Sequence, residues 1–430
     1  MGSFHGGVHP REYKGATEHK PIEIAPLPSR VYIPLSQHTG APSKPVVKKG
    51  DPVKTGSVIG EQGGTISAPT HASVSGTVAD VINLPHPLTG KLIPTVIIDS
   101  DGNDTLSEEI GEKDLSNLTS ADIIESVRRA GVVGLGGAAF PTFFKLSLKK
   151  PVDTLIINGC ECEPFLTCDH RLMLEKPKEI VEGVEFIAKA LGVENILIAI
   201  EDNKPDAIDI MTRMTEGKGI TIRRLKTKYP QGAEKQLIKA CLNREVPSGG
   251  LPADVGCIVQ NVGTAVAVRE AVRFNRPLYQ RVITVTGPGV KEPKNLLVRI
   301  GTLVKHLIEF CGGYNNTPGK IIMGGPMMGV ALAGDEVPVL KGTSGIIVFP
   351  PEKEPDEGDC IRCGRCIEVC PMGLSPTQLN YHIKMGRLTK AKAGHILDCI
   401  ECGSCAYVCP AKIRLVHSFK FAKSELARRQ

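Results

Sequence analysis

The sequence predicts a multidomain α/β chain that ends in a helical, cysteine-rich unit. Three observations predict this. Short β-type runs broken by Gly, Pro, Asp and Thr fill residues 31–100. Strand and helix candidates alternate from 115 to 275. Eight of the fourteen cysteines fall in two matched runs near the C-terminus. A chain of 430 residues has room for roughly two to four domains. We place the divisions at 1–30, 31–112, 113–278, 279–345 and 346–430.

Residues 1–30, rich in His, Gly, Pro and charge, read as an extended N-terminal arm. In residues 31–112 the strand candidates are Val31–Pro34, Ser57–Ile59 and Gly76–Ile82. The stretches Val47–Val53 and Ala68–Val78 resemble the two halves of a biotinyl/lipoyl-type barrel-sandwich domain. Carrier domains of that kind hold a lysine at the hairpin tip. Here the tip reads Pro69-Thr70-His71-Ala72, so the resemblance implies the fold without the carrier role.

Residues 113–278 carry strand candidates Thr154–Asn158, Ile196–Ile200, Ile220–Leu225 and Cys257–Gln260. The helix candidates between them are Ser120–Ala130, Lys178–Leu191, Pro205–Thr215, Gly232–Leu242 and Thr264–Phe274. This alternation predicts a largely parallel sheet with helices on its faces. Residues 279–345 predict a smaller α+β unit: strand Arg281–Thr286, a glycine turn, helix Val304–Phe310 and strand Lys320–Met323. A charged, Pro-containing linker, 350–359, leads into the last unit.

The two runs there are Cys360, Cys363, Cys366, Cys370-Pro371 and Cys399, Cys402, Cys405, Cys409-Pro410. Each follows the C-x-x-C-x-x-C-x-x-x-C-P spacing that ligates [4Fe–4S] clusters, in which the fourth cysteine serves the other cluster. Cys360, Cys363, Cys366 and Cys409 are therefore expected on one cluster, and Cys399, Cys402, Cys405 and Cys370 on the second. Structural zinc and a disulfide framework are the competing readings. The 28 residues between Cys370 and Cys399, with helical spacing over Ser375–Met385, favour a helical two-cluster domain. Residues 413–430 read either as a basic amphipathic docking helix or as a helix covering this domain.

The net charge of +6 and the absence of tryptophan argue against nucleic acid as a partner. No apolar run reaches the roughly 18–20 residues of a membrane span, and residues 1–10 lack the apolar core of a signal peptide. Reduced cluster thiols fit a cytoplasmic setting.

Two loops carry further chemistry. Gly134, Gly136 and Ala139 satisfy G-x-G-x-x-G/A, but a helix candidate rather than a strand precedes them, unlike a Rossmann turn. Glycines there let backbone N–H groups approach a phosphate, with Lys145 nearby; a plain structural turn is the alternative. Asn158 to Pro164, with Asp169, follows a strand directly, where loops of parallel sheets bind ligands. Glu161 and Glu163 there offer acceptors to hydroxyls or amides. Cys160, Cys162 and Cys168 beside His170 raise a third metal site; ordinary buried thiols are the other reading.

Gly134–Lys145 resembles the G-x-G-G-A-G-F-P-T-x-x-K loop of the flavin-binding subunit of respiratory complex I and related NADH-linked hydrogenases. Asn158–Pro164, Tyr229–Glu234 and Gln260–Thr264 resemble that family's N-x-D-E-x-E-P, Y-x-x-G-E-E and N-N-V-E-T segments, in the same order. The whole chain, from Phe4-His5-Gly6-Gly7-Val8-His9-Pro10 through a β-grasp-like third unit to the cysteine runs, is similar to the C-subunit family of Rnf complexes. These are membrane ferredoxin:NAD+ oxidoreductases coupled to Na+ or H+ transport.

The resemblance implies FMN, NAD(H) and two [4Fe–4S] clusters. It implies as partners an iron–sulfur subunit, integral membrane subunits and, indirectly, ferredoxin, at the cytoplasmic face of the membrane. Gly134, Gly136, Gly137 and Lys145 would cradle FMN, held also by Asn158, Asn261 and Thr264. Phe140 would stack on the dinucleotide, Glu163 bind its ribose, Glu234 lie near the nicotinamide, and Glu161 line the cofactor site. Ala139, Cys160, Ala233 and Gln260 depart from the complex I pattern. A cobalamin reductase of a bacterial microcompartment shares the architecture, and a cluster-only electron wire is a third reading. Hydride comes as two electrons and a cubane cluster takes one, so a flavin between them suits the combination.

Overall fold

The four strands that alternate with helices form one parallel sheet, in the order Ile220–Leu225, Asn195–Glu201, Thr154–Asn158, Cys257–Asn261. The apolar runs of the last three are buried on both faces, as a sheet covered on two sides requires, whereas the edge strand Ile220–Leu225 exposes Thr221, Arg223 and Arg224. Helix Pro177–Leu191 starts on a proline and stops at Gly192, whose φ of 67° is left-handed. It crosses helix Val262–Phe274 closely: a Cβ on Gly183 would lie 1.9 Å from the Ala265 carbonyl oxygen. The predicted helices are present within a few residues of their expected ends. Helix Cys168–Glu175, in a stretch read as loop, is an addition.

The computed structural model describes residues 2–147, 150–353 and 355–429. Met1, Leu148, Lys149, Glu354 and Gln430 lie outside the described residues; they include the first residue of the expected arm, part of the expected linker and the end of the C-terminal segment.

Residues 30–100 form two facing sheets around Val31, Ile33, Ile59, Val74, Val96 and Ile98. The hairpin tip that carriers leave mobile is buried here. Lys341 Nζ donates to the carbonyls of Pro69 (2.9 Å) and Gly131 (2.7 Å), binding the tip to the flanking units.

The third unit is a six-stranded sheet carrying helix Val304–Phe310. Two of its strands come from outside the expected limits. Ile22–Ile24 of the arm pairs in parallel with Lys294–Arg299, and Gly345–Phe349 runs past the division set at 345. The arm is thus built into a sheet edge, because its Ile-Glu-Ile run completes a row of backbone hydrogen bonds.

Beyond Phe349 the described residues form short helices and turns, with no strand among them. Helix Leu415–Arg428 lays Leu415, Phe419, Ala422 and Leu426 into the core around the cysteine runs. Its apolar face is covered inside the domain, which is the covering-helix reading of this segment. Among the described residues no helix is long and apolar enough to cross a membrane.

Candidate functional site

Strand order in the parallel sheet reverses between Thr154–Asn158 and Cys257–Asn261, and ligand crevices open at the carboxyl ends of strands at such a point. Asn158 and Asn261 are register partners there. Asn261 Oδ1 accepts from the Gly263 amide (2.8 Å), capping the following helix, and its Nδ2 donates to Asp169 Oδ2 (2.6 Å). Asn158 Oδ1 accepts from the Cys160 amide (3.1 Å) and its Nδ2 donates to the Gly232 carbonyl (2.8 Å).

The glycine loop folds over this crevice. Thr264 Oγ1 accepts from the Leu135 amide (2.9 Å), and the Gly134 amide donates to the Phe140 carbonyl (2.8 Å). Gly137 has φ +109°, and no atom lies within 4 Å of where its Cβ would be. The Cβ position of Gly136 is 3.4 Å from the Asn261 Cβ. Gly136, Gly137 and Ala138 are exposed, leaving a run of backbone open to a ligand. Ala139 stands at φ +47°, a left-handed position where the complex I pattern has glycine; the alanine costs about 1 kcal/mol there. Thr39 of the barrel sandwich supports the turn through the Ala138 and Ala139 carbonyls.

Phe140 is half-buried and meets Phe144 edge-on at 5.7 Å. Lys145 Nζ pairs with Glu234 Oε1 at 2.6 Å and reaches the Val259 carbonyl at 3.3 Å. Both side-chain amide atoms of Gln231, and Nε2 of Gln260, are buried without a hydrogen-bond partner. Unsatisfied buried amides on the two segments flanking the crevice fit a site completed by a bound polar group.

The acidic loop is more enclosed than its spacing suggests. Glu161 accepts from the amides of Asp169 (2.7 Å) and His170 (3.3 Å), at the start of helix Cys168–Glu175. Buried Lys14, from the arm, donates to the carbonyls of Glu161 (2.9 Å), Glu163 (3.1 Å) and Leu166. Nothing local in the sequence singles out Lys14, because every partner it has is nearly 150 residues away. Glu163 accepts from the amides of Met327 and Met328, each at 3.0 Å, and its Oε1 lies 3.4 Å from the Tyr229 hydroxyl oxygen. Each of its oxygens thus accepts a backbone hydrogen bond from the third unit, which makes it a brace between the two units. Burial raises the carboxyl groups of Glu163 and Asp169 to about 7; the Glu161 charge adds to the shift at Asp169.

The three upstream cysteines do not gather into a site. Cys160 Sγ faces the Ala199 carbonyl at 3.7 Å, Cys162 Sγ accepts from the Gly232 amide at 3.3 Å, and Cys168 packs in the main core. His170 Nε2 faces Asp206 at 2.9 Å instead.

The two cysteine runs repeat one backbone conformation. Arg362 and Glu401 have φ 55° and 56°, and Gly364 and Gly403 have φ 79° and 81° before short helices carrying Cys366 and Cys405. Thiols gather across the repeat. Burial raises Cys366, and Cys409, Cys360 and Cys363 add to the shift. Burial likewise raises Cys405, with Cys402, Cys399 and Cys370 adding to it. All eight thiols are free, so no disulfide framework exists. Among the described residues, the only three metal-ligating atoms within 4.8 Å of one another are on Glu161, Cys168 and Asp169. A tetrahedral zinc site, with Zn–S of about 2.3 Å, needs thiols closer than that.

Residues 2–103 match the model of the RnfC barrel sandwich hybrid domain, 127–270 the Nuo51 FMN-binding domain, 282–331 the SLBB domain and 354–413 the 4Fe-4S dicluster domain. These matches bear out the expected fold class, FMN and [4Fe–4S] clusters. The chain is 50% identical over 429 residues to the C subunit of the proton-translocating ferredoxin:NAD(+) oxidoreductase complex of Clostridium ljungdahlii, covering 98% of this chain and 94% of that one. It is 46% identical over 431 residues to the Na(+)-translocating counterpart of Acetobacterium woodii, covering 99% and 97%. It is 45% identical over 436 residues to the C subunit of an ion-translocating oxidoreductase complex of Rhodobacter capsulatus, covering 100% and 84%. In fold it resembles a chain of an NAD+-reducing [NiFe]-hydrogenase, with a TM-score of 0.50 and 18% identity over 74% of this chain and 62% of that one. Models of a barrel sandwich, an FMN-binding domain, an SLBB domain and a 4Fe-4S dicluster domain thus match this chain in order, these relatives align with it over nearly its whole length, and the chain belongs to the C-subunit family of Rnf-type ion-translocating oxidoreductase complexes.

Proposed function

We propose that this chain is the NAD(H)-facing electron-transfer subunit of a ferredoxin:NAD+ oxidoreductase complex. The observation that carries the reading is a single contact: the Tyr229 hydroxyl donates to the Cys402 carbonyl at 2.7 Å. It brings the second cysteine set against the loop that also holds Asn158 through Gly232. That contact supports a one-electron site close to the proposed two-electron site.

Gly136 and Gly137 suit the FMN phosphate through open backbone, Gly134 closes the cradle through its bond to the Phe140 carbonyl, and Lys145 supplies positive charge once it turns from Glu234. Asn158 and Asn261 suit the ring edge at the strand ends, and buried Thr264 fixes the glycine loop. Bound FMN supplies the exchange between hydride and single electrons. Phe140, half-buried at the loop's end, offers an aromatic face to the dinucleotide. Glu161 and Glu163 act as braces, Glu161 on the Asp169 and His170 amides and Glu163 on Met327 and Met328. Cys360, Cys363, Cys366 and Cys409 hold one [4Fe–4S] cluster; Cys399, Cys402, Cys405 and Cys370 hold the other.

The partners are then an iron–sulfur subunit and integral membrane subunits, with ferredoxin reached through them, and the chain sits peripherally at the cytoplasmic face. Anaerobic reconstitution with iron, sulfide and FMN tests the reading. NADH is expected to bleach the flavin absorbance and then the cluster absorbance; flavin that stays oxidised in fully loaded protein would overturn it.

A further inference from the structure

Segments near a chain terminus are ordered only when tied down. Phe4 and Val8 are buried, at 6% and 5% exposure, and the ties are specific. The Gly7 amide donates to the Val369 carbonyl at 2.9 Å. Val8 and Tyr229 exchange both backbone hydrogen bonds, at 2.8 and 2.9 Å. Lys228 Nζ donates to the Phe4 carbonyl at 2.9 Å and lies 4.4 Å from the centre of the Phe4 ring. Gly6 and Gly7 have φ +70° and +82°. A Cβ on Gly6 would lie 2.8 Å from the carbonyl oxygens of Val369 and Cys370, and one on Gly7 would lie 2.7 Å from that of Tyr229. Only glycines let the chain pass so close to both neighbours.

Both neighbours belong to the electron path. Cys370 stands in the second thiol set, and Tyr229 holds Cys402 of the same set. Val8, Tyr229 and Cys402 share one buried apolar group, with Val369 packed against it. The first set has no such enclosure, since Cys360 and Cys363 are exposed.

We infer that Phe4-His5-Gly6-Gly7-Val8 is a positioning strap that clamps the end of the first cysteine run, which supplies Cys370 to the second cluster, to the Lys228–Tyr229 loop and so sets the distance from that cluster to the flavin crevice. The inference rests on the functional reading above. Electronic coupling falls steeply with separation, so a strap acts on the step from flavin to cluster and leaves hydride exchange alone. Gln236 Nε2, which donates to the Pro371 carbonyl at 3.2 Å, adds a weaker tie at the same place.

The test uses the full chain loaded with FMN and iron–sulfur. In the wild type, hydrogen exchange at the Gly7, Val8 and Tyr229 amides is expected to be slow; exchange at unprotected rates would overturn the strap. In Gly6→Val, stopped-flow bleaching of flavin by NADH is expected at the wild-type rate. Cluster reduction behind it is expected to slow severalfold, because electronic coupling falls as the cluster moves away from the crevice. The reduced second cluster should change its EPR line shape at unchanged iron content. Cluster reduction at the wild-type rate in iron-replete Gly6→Val would overturn the inference. Should Gly6→Val lose iron, Lys228→Gln decides: slowed cluster reduction with faster exchange at Val8 supports the strap, and wild-type behaviour in both overturns it. Flavin that NADH fails to reduce in the wild type would instead defeat the functional reading, and the exchange data would still judge the strap.

Discussion

Replacing Glu163 with Gln should remove a pH dependence from the joint between the flavin loops and the third domain. The carboxyl group ordinarily titrates near 4.5 and in the fold is raised to about 7, chiefly by burial. The unfolded chain therefore gives up this proton first. Between pH 4.5 and 7 the folded state holds the extra proton, so stability falls as pH rises through that window and levels off above it. The shift corresponds to a ceiling of about 3 kcal/mol, since the side chain keeps some exposed surface. Between pH 6 and pH 8 the change amounts to about 1 kcal/mol. The reporters are the amides of Met327 and Met328, which donate to this carboxyl group. Hydrogen exchange at these amides, corrected for intrinsic rates, should show an opening free energy that drops by about 1 kcal/mol from pH 6 to pH 8 in the wild type. In Glu163→Gln it should be flat across that range and, at pH 6, lower than the wild type by about 1 kcal/mol, because one acceptor oxygen is lost. A wild type without the slope, or a variant that keeps it, would refute the reasoning.

Other substitutions probe the remaining parts. Cys370→Ser should damage the second cluster and spare the first, and Cys409→Ser the reverse; Mössbauer or EPR spectra showing each loss in the cysteine's own run would contradict the crossed arrangement. Lys145→Met should weaken FMN binding by roughly 10- to 100-fold, the worth of one charge-assisted hydrogen bond, measured by flavin fluorescence titration. Burial lowers buried Lys341 to about 7, so its contribution to stability is full above pH 10.5 and is lost as pH falls to 7. Lys341→Met should therefore destabilise the Gly131 region less at pH 6 than at pH 9, by about 3 kcal/mol, read from hydrogen exchange there.

The sequence alone determined the features that depend on local spacing. Two cysteine runs with thiols three residues apart announce clusters, because the ligands come from one short loop. Strand Thr154–Asn158 and helix Pro205–Thr215 have the expected limits, since burial on a regular element leaves a period in the residues. Helix Cys168–Glu175 left a weaker trace: Cys168 and Leu172 keep helical spacing, but only eight residues lie between flanking turns. The tertiary structure decided the contacts whose partners are distant in the chain. It paired Asn158 with Asn261, brought Lys14 beneath Glu161, and set the Met327 and Met328 amides on Glu163. It built Ile22–Ile24 into a sheet more than 270 residues away, and it laid Gly6 and Gly7 between two carbonyls that no local pattern foretells. Spacing specifies which groups a loop can offer; packing across the chain settles which of them remain free to meet a cofactor.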